Sequence, residues 1–174
     1  RKEAYSLLPY RLENSFRNLK KSMNPEGHDR ISITVKCSGR FSLRLKVLMN
    51  ASVTITWDNG ENANSEVIKW KVNGWNRLEH QYSKPDKHVI EICSDEENVI
   101  TGIEIEIAFS VTKMNLEACR GLEYLHCTNQ RASINPKGLC GLRYLNIRNT
   151  KTKRLNIRGM HQLVALDISE IPSL

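Results

Sequence analysis

Cysteine and histidine are the side chains of this 174-residue chain with the most specific chemistry, and there are five of each. The cysteines are Cys37, Cys93, Cys119, Cys127 and Cys140. Their odd number and the absence of a CxxC pair fit neither a complete disulfide framework nor a zinc site. Cys119, Cys140 and His161 are evenly spaced, so a repeat of matching length would stack them in one column. Such a column permits a disulfide between the cysteines, whereas a metal site there lacks a fourth ligand. Cys37 and Cys93 each end an expected strand and would either bridge two strands or stay reduced and buried, the second being the expectation. Cys127 reads as a small core hydrophobe.

The histidines, His28, His80, His88, His126 and His161, are scattered and include no HExxH pair. No GxSxG elbow accompanies a Ser/His/Asp set, and no glycine-rich phosphate loop occurs. Asp58, Asn59 and Glu61 offer oxygens to a cation but do not follow the spacing of an EF-hand loop, so a turn is expected there. Asp95-Glu96-Glu97 reads as a solvated loop. No catalytic residue, metal or other cofactor is expected, and an enzyme would need a deep pocket with clustered acids or histidines.

Two kinds of element would position these residues. From Ile31 onward apolar and polar residues alternate: Ile31, Ile33 and Val35; Phe41, Leu43, Leu45 and Val47; Val53, Ile55 and Trp57; Ile103, Ile105 and Ile107. Alternation with a period of two means half-buried strands. Further strands are expected over 67–72, 76–82 and 87–93. Turns are expected at Ser38-Gly39-Arg40, at Asn50-Ala51 and at Asp58-Asn59-Gly60, where Asn-Gly supplies positive φ. Short strands separated by closely and regularly spaced turns indicate an antiparallel sandwich over 30–110. Ahead of it, Leu8, Leu12, Phe16 and Leu19 form one helical stripe in a lead-in over 1–29, closed by Asn24-Pro25-Glu26-Gly27.

The second element is a repeat over 111–174. GLEYLHC (121–127), GLRYLNI (141–147) and QLVALDI (162–168) align, with Leu122, Leu142 and Leu163 as equivalent positions. Apolar pairs recur at about half that step, at Leu125/Cys127, Ile134/Pro136, Leu145/Ile147, Leu155/Ile157 and Leu166/Ile168, which suggests two short strands per coil. One coil cannot bury its own apolar side, so coils must stack on each other and on a cap. The last sandwich strand is expected to double as the first repeat strand, with Ile105 and Ile107 equivalent to Leu125 and Cys127.

Between the inward leucines, Tyr124, His126, Tyr144, Asn146, Arg148, Ala165 and Asp167 should face outward. Tyr124 and Tyr144 should stack side by side. Such a ladder is either a recognition surface, since Tyr and Arg are enriched at interfaces, or cross-strand packing that stabilises the sheet. The net charge of +7 is concentrated here: residues 112–160 hold ten Lys or Arg against Glu117 and Glu123. Lys151, Lys153, Arg154 and Arg158 form a basic patch, read first as a solvated outer face and second as a polyanion site.

TITWDNG (54–60) and HQYSKPDKHVIEI (80–92) resemble the WGDG and HxYxxPGxYxVxL signatures of PKD-type immunoglobulin-like domains. Asp58-Asn59 stands where that family has Gly-Asp, and Asp86 where it has Gly. The following units resemble the short leucine-rich repeats of Bacteroidetes surface proteins, which read roughly LxxLxCxxNxLxxLxL. Leu122, Leu125 and Cys127 match the opening of a unit, as do Leu142, Leu145 and Ile147. Asn129 and Asn149 fall one residue early, and Ala132 and Thr152 replace the next apolar residue. The resemblance implies a mainly β protein, a PKD-like sandwich continuing into a short degenerate repeat solenoid. It also implies a secreted or outer-membrane-surface adhesion protein that binds a protein or glycan, with any lipid anchor outside this chain. The rivals are a structural spacer and a polyanion binder; nucleic acid is not an expected partner. No apolar run approaches the roughly 18 to 20 residues of a membrane span. The chain opens on Arg1-Lys2-Glu3 without a signal peptide, from which a processed protein or a trimmed piece is expected.

Overall fold

The alternation that begins at Ile31 does not stop at Gly39, and Arg30–Val47 is one strand, β1. It pairs antiparallel along its whole length with β4 (Gly74–Cys93), a single strand in place of the two expected over 76–82 and 87–93. The computed structural model describes residues 28–58, 64–71, 73–108, 110–172 and 174. The lead-in stripe from Leu8 to Phe16 and Leu19, and Asn59, Gly60 and Glu61 of the predicted turn, lie outside the described residues.

The turn expected at Ser38-Gly39-Arg40 is instead a bulge. Cys37 is opposite Asp86 and Gly39 opposite Tyr82, so Ser83, Lys84 and Pro85 are accommodated across from Ser38 alone. Gly39 has φ of 81°, a conformation costly for a residue with a Cβ. Pro85, which cannot donate to a ladder, sits where the ladder is already interrupted. Turn composition and bulge composition are alike, which is why local sequence did not separate them.

Among the described residues the remaining strands are β2 (Ser52–Thr56), β3 (Ser65–Lys69), β5 (Ile100–Ile105), β6 (Val111–Asn115), β7 (Tyr124–His126), β8 (Tyr144–Asn146) and β9 (Ala165–Asp167). They form one mixed sheet in the order β3-β2-β4-β1-β5-β7-β8-β9, with β6 also paired to β1. Hydrogen bonding therefore runs across residue 110 in both directions. β5 is the pivot, antiparallel to β1 and parallel to β7. Its register makes Ile103 and Ile105, rather than Ile105 and Ile107, the equivalents of Leu125 and Cys127. The sandwich-like alternation hid this, because a shift of two residues keeps every side chain on the same face.

The repeat contributes one strand per coil, not two. Backbone bonds recur in register, Cys127 N–H to Asn146 C=O at 2.9 Å and Ile147 N–H to Asp167 C=O at 3.0 Å. In the return segments backbone bonds link neighbouring coils at one level, Arg131 N–H to Val111 C=O at 3.1 Å and Lys151 N–H to Ala132 C=O at 3.0 Å, and Ile134 N–H donates to Thr152 Oγ1 instead. Thr152 and Ala132 are both buried. They replace the apolar residue expected there, and the Thr152 hydroxyl satisfies a donor that a strand ladder would have taken. Each coil leaves its strand through a left-handed residue, Asn129, Asn149 and Glu170 in turn, with φ between 51° and 56°. Asn149 Nδ2 donates to Asn129 Oδ1 at 2.9 Å.

All apolar faces meet in one core. Ile31, Phe41, Leu43, Leu45, Ile55, Trp57, Ile90 and Ile92 join Ile103, Leu125 and Leu145 without a break. The antiparallel part thus caps the first coil. At the other end Leu166 is 40% exposed, whereas its equivalents Leu125 and Leu145 are each 1% exposed.

Candidate functional site

The face of the sheet opposite this core carries two straight rows of side chains, set by strand register. The first row is Trp75, Lys46, Gly102, Tyr124, Tyr144 and Ala165. The second is Arg77, Arg44, Glu104, His126, Asn146 and Asp167. Neighbouring strands lie about 4.8 Å apart, which is also a comfortable separation for parallel rings. Tyr124 and Tyr144 accordingly stack with centroids 4.6 Å apart and planes 7° from parallel.

Trp75 reaches this stack from the antiparallel part. Its indole meets Tyr124 edge-on, with centroids 6.1 Å apart. Gly102 makes the approach possible, since a Cβ there would stand 2.7 Å from the indole and 3.0 Å from Lys46 Cβ. A glycine inside a strand commonly marks such a close passage. Lys46 Nζ lies 4.4 Å from the Tyr124 centroid and Arg44 Cζ 5.4 Å from that of Trp75, cation–π contacts of about 0.5–1 kcal/mol each at an exposed site. Burial in the stack, and then the neighbouring Tyr144 hydroxyl, push the Tyr124 phenol above its ordinary pKa.

Beside the stack lies a groove of ≈ 420 Å³ whose walls include Trp75, Tyr124, His126, Tyr144, Asn146 and Asp167. That size is within the range of small-molecule sites, which combine apolar lining with a few placed polar groups. Arg44 is tied to Glu104 at 3.0 Å. Ser169 Oγ and N–H donate to Asp167 Oδ1 at 2.7 and 3.0 Å, holding that carboxyl below its ordinary pKa.

Of the residues singled out from sequence, Tyr124, His126, Tyr144 and Asn146 are brought together in this groove. Arg148 is not: it stands beyond the end of β8 in the turn, and its guanidinium is paired with Glu170 Oε1. Lys151, Lys153, Arg154 and Arg158 are exposed on the return segment between β8 and β9, away from the strand face. Trp75, Lys46, Gly102 and Glu104 were missed as site residues. Alternation already placed Lys46 and Glu104 on the polar face of their strands, whereas Trp75 and Gly102 fell just outside the expected strands, and only the pairing of β5 with β7 carries that face into the repeat.

The cysteine column does not form. Cys119 N–H bonds Leu116 C=O, Leu139 N–H bonds Pro136 C=O and Met160 N–H bonds Ile157 C=O, so Leu139 and Met160 are the equivalents of Cys119. The coil from Cys119 to Leu139 is one residue shorter than the coil from Leu139 to Met160, and the even spacing of the column needs them equal. Cys119 is therefore buried, while Cys140 is exposed. Cys37 pairs with Asp86 and Cys93 with Arg30 seven positions along the ladder, about 23 Å apart, too far for a bridge. Burial pushes the Cys127 thiol up to about 12. Among the described residues no three His, Cys, Asp or Glu side chains are grouped to hold a metal ion.

The HxY and WDN segments of the sequence also meet. Trp57 stacks on His80 at 5.2 Å, Tyr82 on His88 at 3.9 Å, and Tyr82 Oη donates to Trp57 C=O at 2.5 Å. His88 Nδ1 lies 2.9 Å from Asp58 Oδ2. This cluster lies past the end of β2, several residues along β4 from Trp75 and the groove. No family model, curated protein or solved structure matches the chain.

Proposed function

We propose that this chain is a non-catalytic binding module, a PKD-like sandwich continuing into short leucine-rich repeats, that presents its parallel-strand face to a protein or glycan ligand at a cell surface. The observation that carries the reading is the Tyr124–Tyr144 stack, flanked by Trp75 in a groove of ≈ 420 Å³. Tyr and Trp anchors beside placed polar groups are what binding surfaces concentrate. Cross-strand packing alone would account for the stack but not for the concavity beside it. The architectural part is supported by the parallel pairing of Tyr124 with Tyr144 and of Tyr144 with Ala165, and by the meeting of Trp57, His80 and Tyr82.

The test is a glycan and protein binding screen comparing wild type with a Tyr124→Ala/Tyr144→Ala pair. Loss of the captured ligand in the pair is the expected result; equal binding by both would remove the stack from the function. A second reading, polyanion binding, is favoured by the exposed Lys151, Lys153, Arg154 and Arg158. Binding through those residues would weaken steeply with salt and would survive the tyrosine substitutions.

A further inference from the structure

We infer that the face of Tyr144 directed toward β9, above Ala165, is a stacking subsite for one pyranose ring of a neutral carbohydrate, whose hydroxyls hydrogen-bond Asn146 and Asp167. This rests on the reading of the strand face as a recognition surface and narrows its ligand.

The stack has a closed end and an open one. Lys46 stands over Tyr124, and Tyr144 covers the other face of that ring at 4.6 Å. The next position in the row is Ala165, in register with Tyr144 on β9. A methyl group cannot cover a phenol ring, so β9 contributes a floor where β7 and β8 contribute rings. A flat ligand standing on that floor would sit about one strand spacing from Tyr144, as Tyr124 does on the other side. The exposed Arg143, its Cζ 6.0 Å from the Tyr144 centroid, borders this position, and a ligand there would displace it or accept a hydrogen bond from it.

The adjoining polar row decides what kind of flat ligand fits. Asn146 and Asp167 are register partners, one strand apart. Asn146 Oδ1 accepts from Arg148 N–H at 3.2 Å, and Asp167 Oδ1 accepts both bonds from Ser169. Among the described residues Asn146 Nδ2 and Asp167 Oδ2 have no partner. One unspent donor and one unspent acceptor, a strand spacing apart at the rim of an aromatic face, suit adjacent hydroxyls, each able to donate and accept. The weakly positive axial C–H groups of a pyranose meet the negative face of the phenol. A phenylalanine ring of a protein partner would stack equally well but offers only C–H groups to Asn146 and Asp167, and a tyrosine or tryptophan brings a single polar atom where two groups wait to be met. A polyanion would meet Asp167 and Glu104 at close range.

The experiment titrates the full chain with methyl glucoside, galactoside, mannoside and N-acetylglucosaminide, and separately with N-acetyltyrosinamide, following amide and aromatic NMR signals. The expected result is that at least one pyranoside shifts Tyr144, Asn146, Ala165 and Asp167 together, with a Kd of about 1 mM or weaker for a single ring. Ala165→Phe, which fills the open position, and Asp167→Asn should each weaken that binding about tenfold or more, with the remaining spectrum unchanged. Absence of any pyranoside effect up to about 50 mM overturns the subsite, as does a response to N-acetyltyrosinamide alone. Either of those results, combined with loss of ligand in the Tyr124→Ala/Tyr144→Ala screen, would leave the recognition face standing and remove only the carbohydrate assignment.

Discussion

Asp29 is fully buried, and its carboxylate accepts three backbone N–H groups in succession: Asn98 to Oδ1 at 2.9 Å, and Val99 and Ile100 to Oδ2 at 2.7 Å each. Its own carbonyl accepts Ser94 N–H at 3.0 Å. This clamp sets where β5 begins, and therefore which residues of β5 meet β7 and line the groove. Asp29→Asn keeps the shape but exchanges one carboxylate oxygen for an NH₂ group. If the amide oxygen keeps the pair from Val99 and Ile100, the NH₂ faces Asn98 N–H, donor against donor. One buried N–H left without an acceptor costs about 2 kcal/mol, and two bonds that lose charge assistance cost about 1 kcal/mol each. The smaller desolvation of a neutral amide offsets part of this, leaving a net loss of about 3 kcal/mol. Urea unfolding followed by tryptophan fluorescence measures it, and Tm should fall by about 6–12 °C for a chain of this size. Asp29→Ala, which leaves all three donors without this acceptor, should lose more. A loss below about 1 kcal/mol for Asp29→Asn would refute the clamp.

The stacking of coils predicts a gradient. Leu145→Ala should cost about 3 kcal/mol by opening a closed cavity, and Leu166→Ala about 1 kcal/mol because that side chain already meets water; equal losses in urea titrations would contradict the packing. Native-state thiol labelling with a maleimide, read by mass spectrometry, should modify Cys140 first and Cys119 and Cys127 only on unfolding. His80 has its pKa lowered by burial among Trp57 and Tyr82, so the folded state holds its proton less tightly than the unfolded chain. That contribution is present above the unfolded value of 6.5 and is lost as pH falls through the lower folded value. Stability measured from pH 7.5 to 5 should therefore decline less in His80→Gln than in wild type, and parallel curves would contradict it.

Periodicity in the chain was enough to establish its β character, the inward leucines, the repeat and the pairing of like positions in successive coils. A side chain's face is a local property of the strand that carries it, and Tyr124 beside Tyr144 was legible for that reason alone. Register between distant segments is not local, and only the folded molecule supplies it. A strand can slip by two residues without changing faces, so the clamp at Asp29 and the bonds between β5 and β7 are what place Gly102 beside Tyr124. That pairing brings Trp75 and Lys46 onto a stack much further along the chain. The same reasoning explains the lost cysteine column. Because the first coil is one residue shorter than the next, Cys140 moves off the axis of Cys119 and out to solvent, and only the bonds at the coil corners say where the missing residue falls.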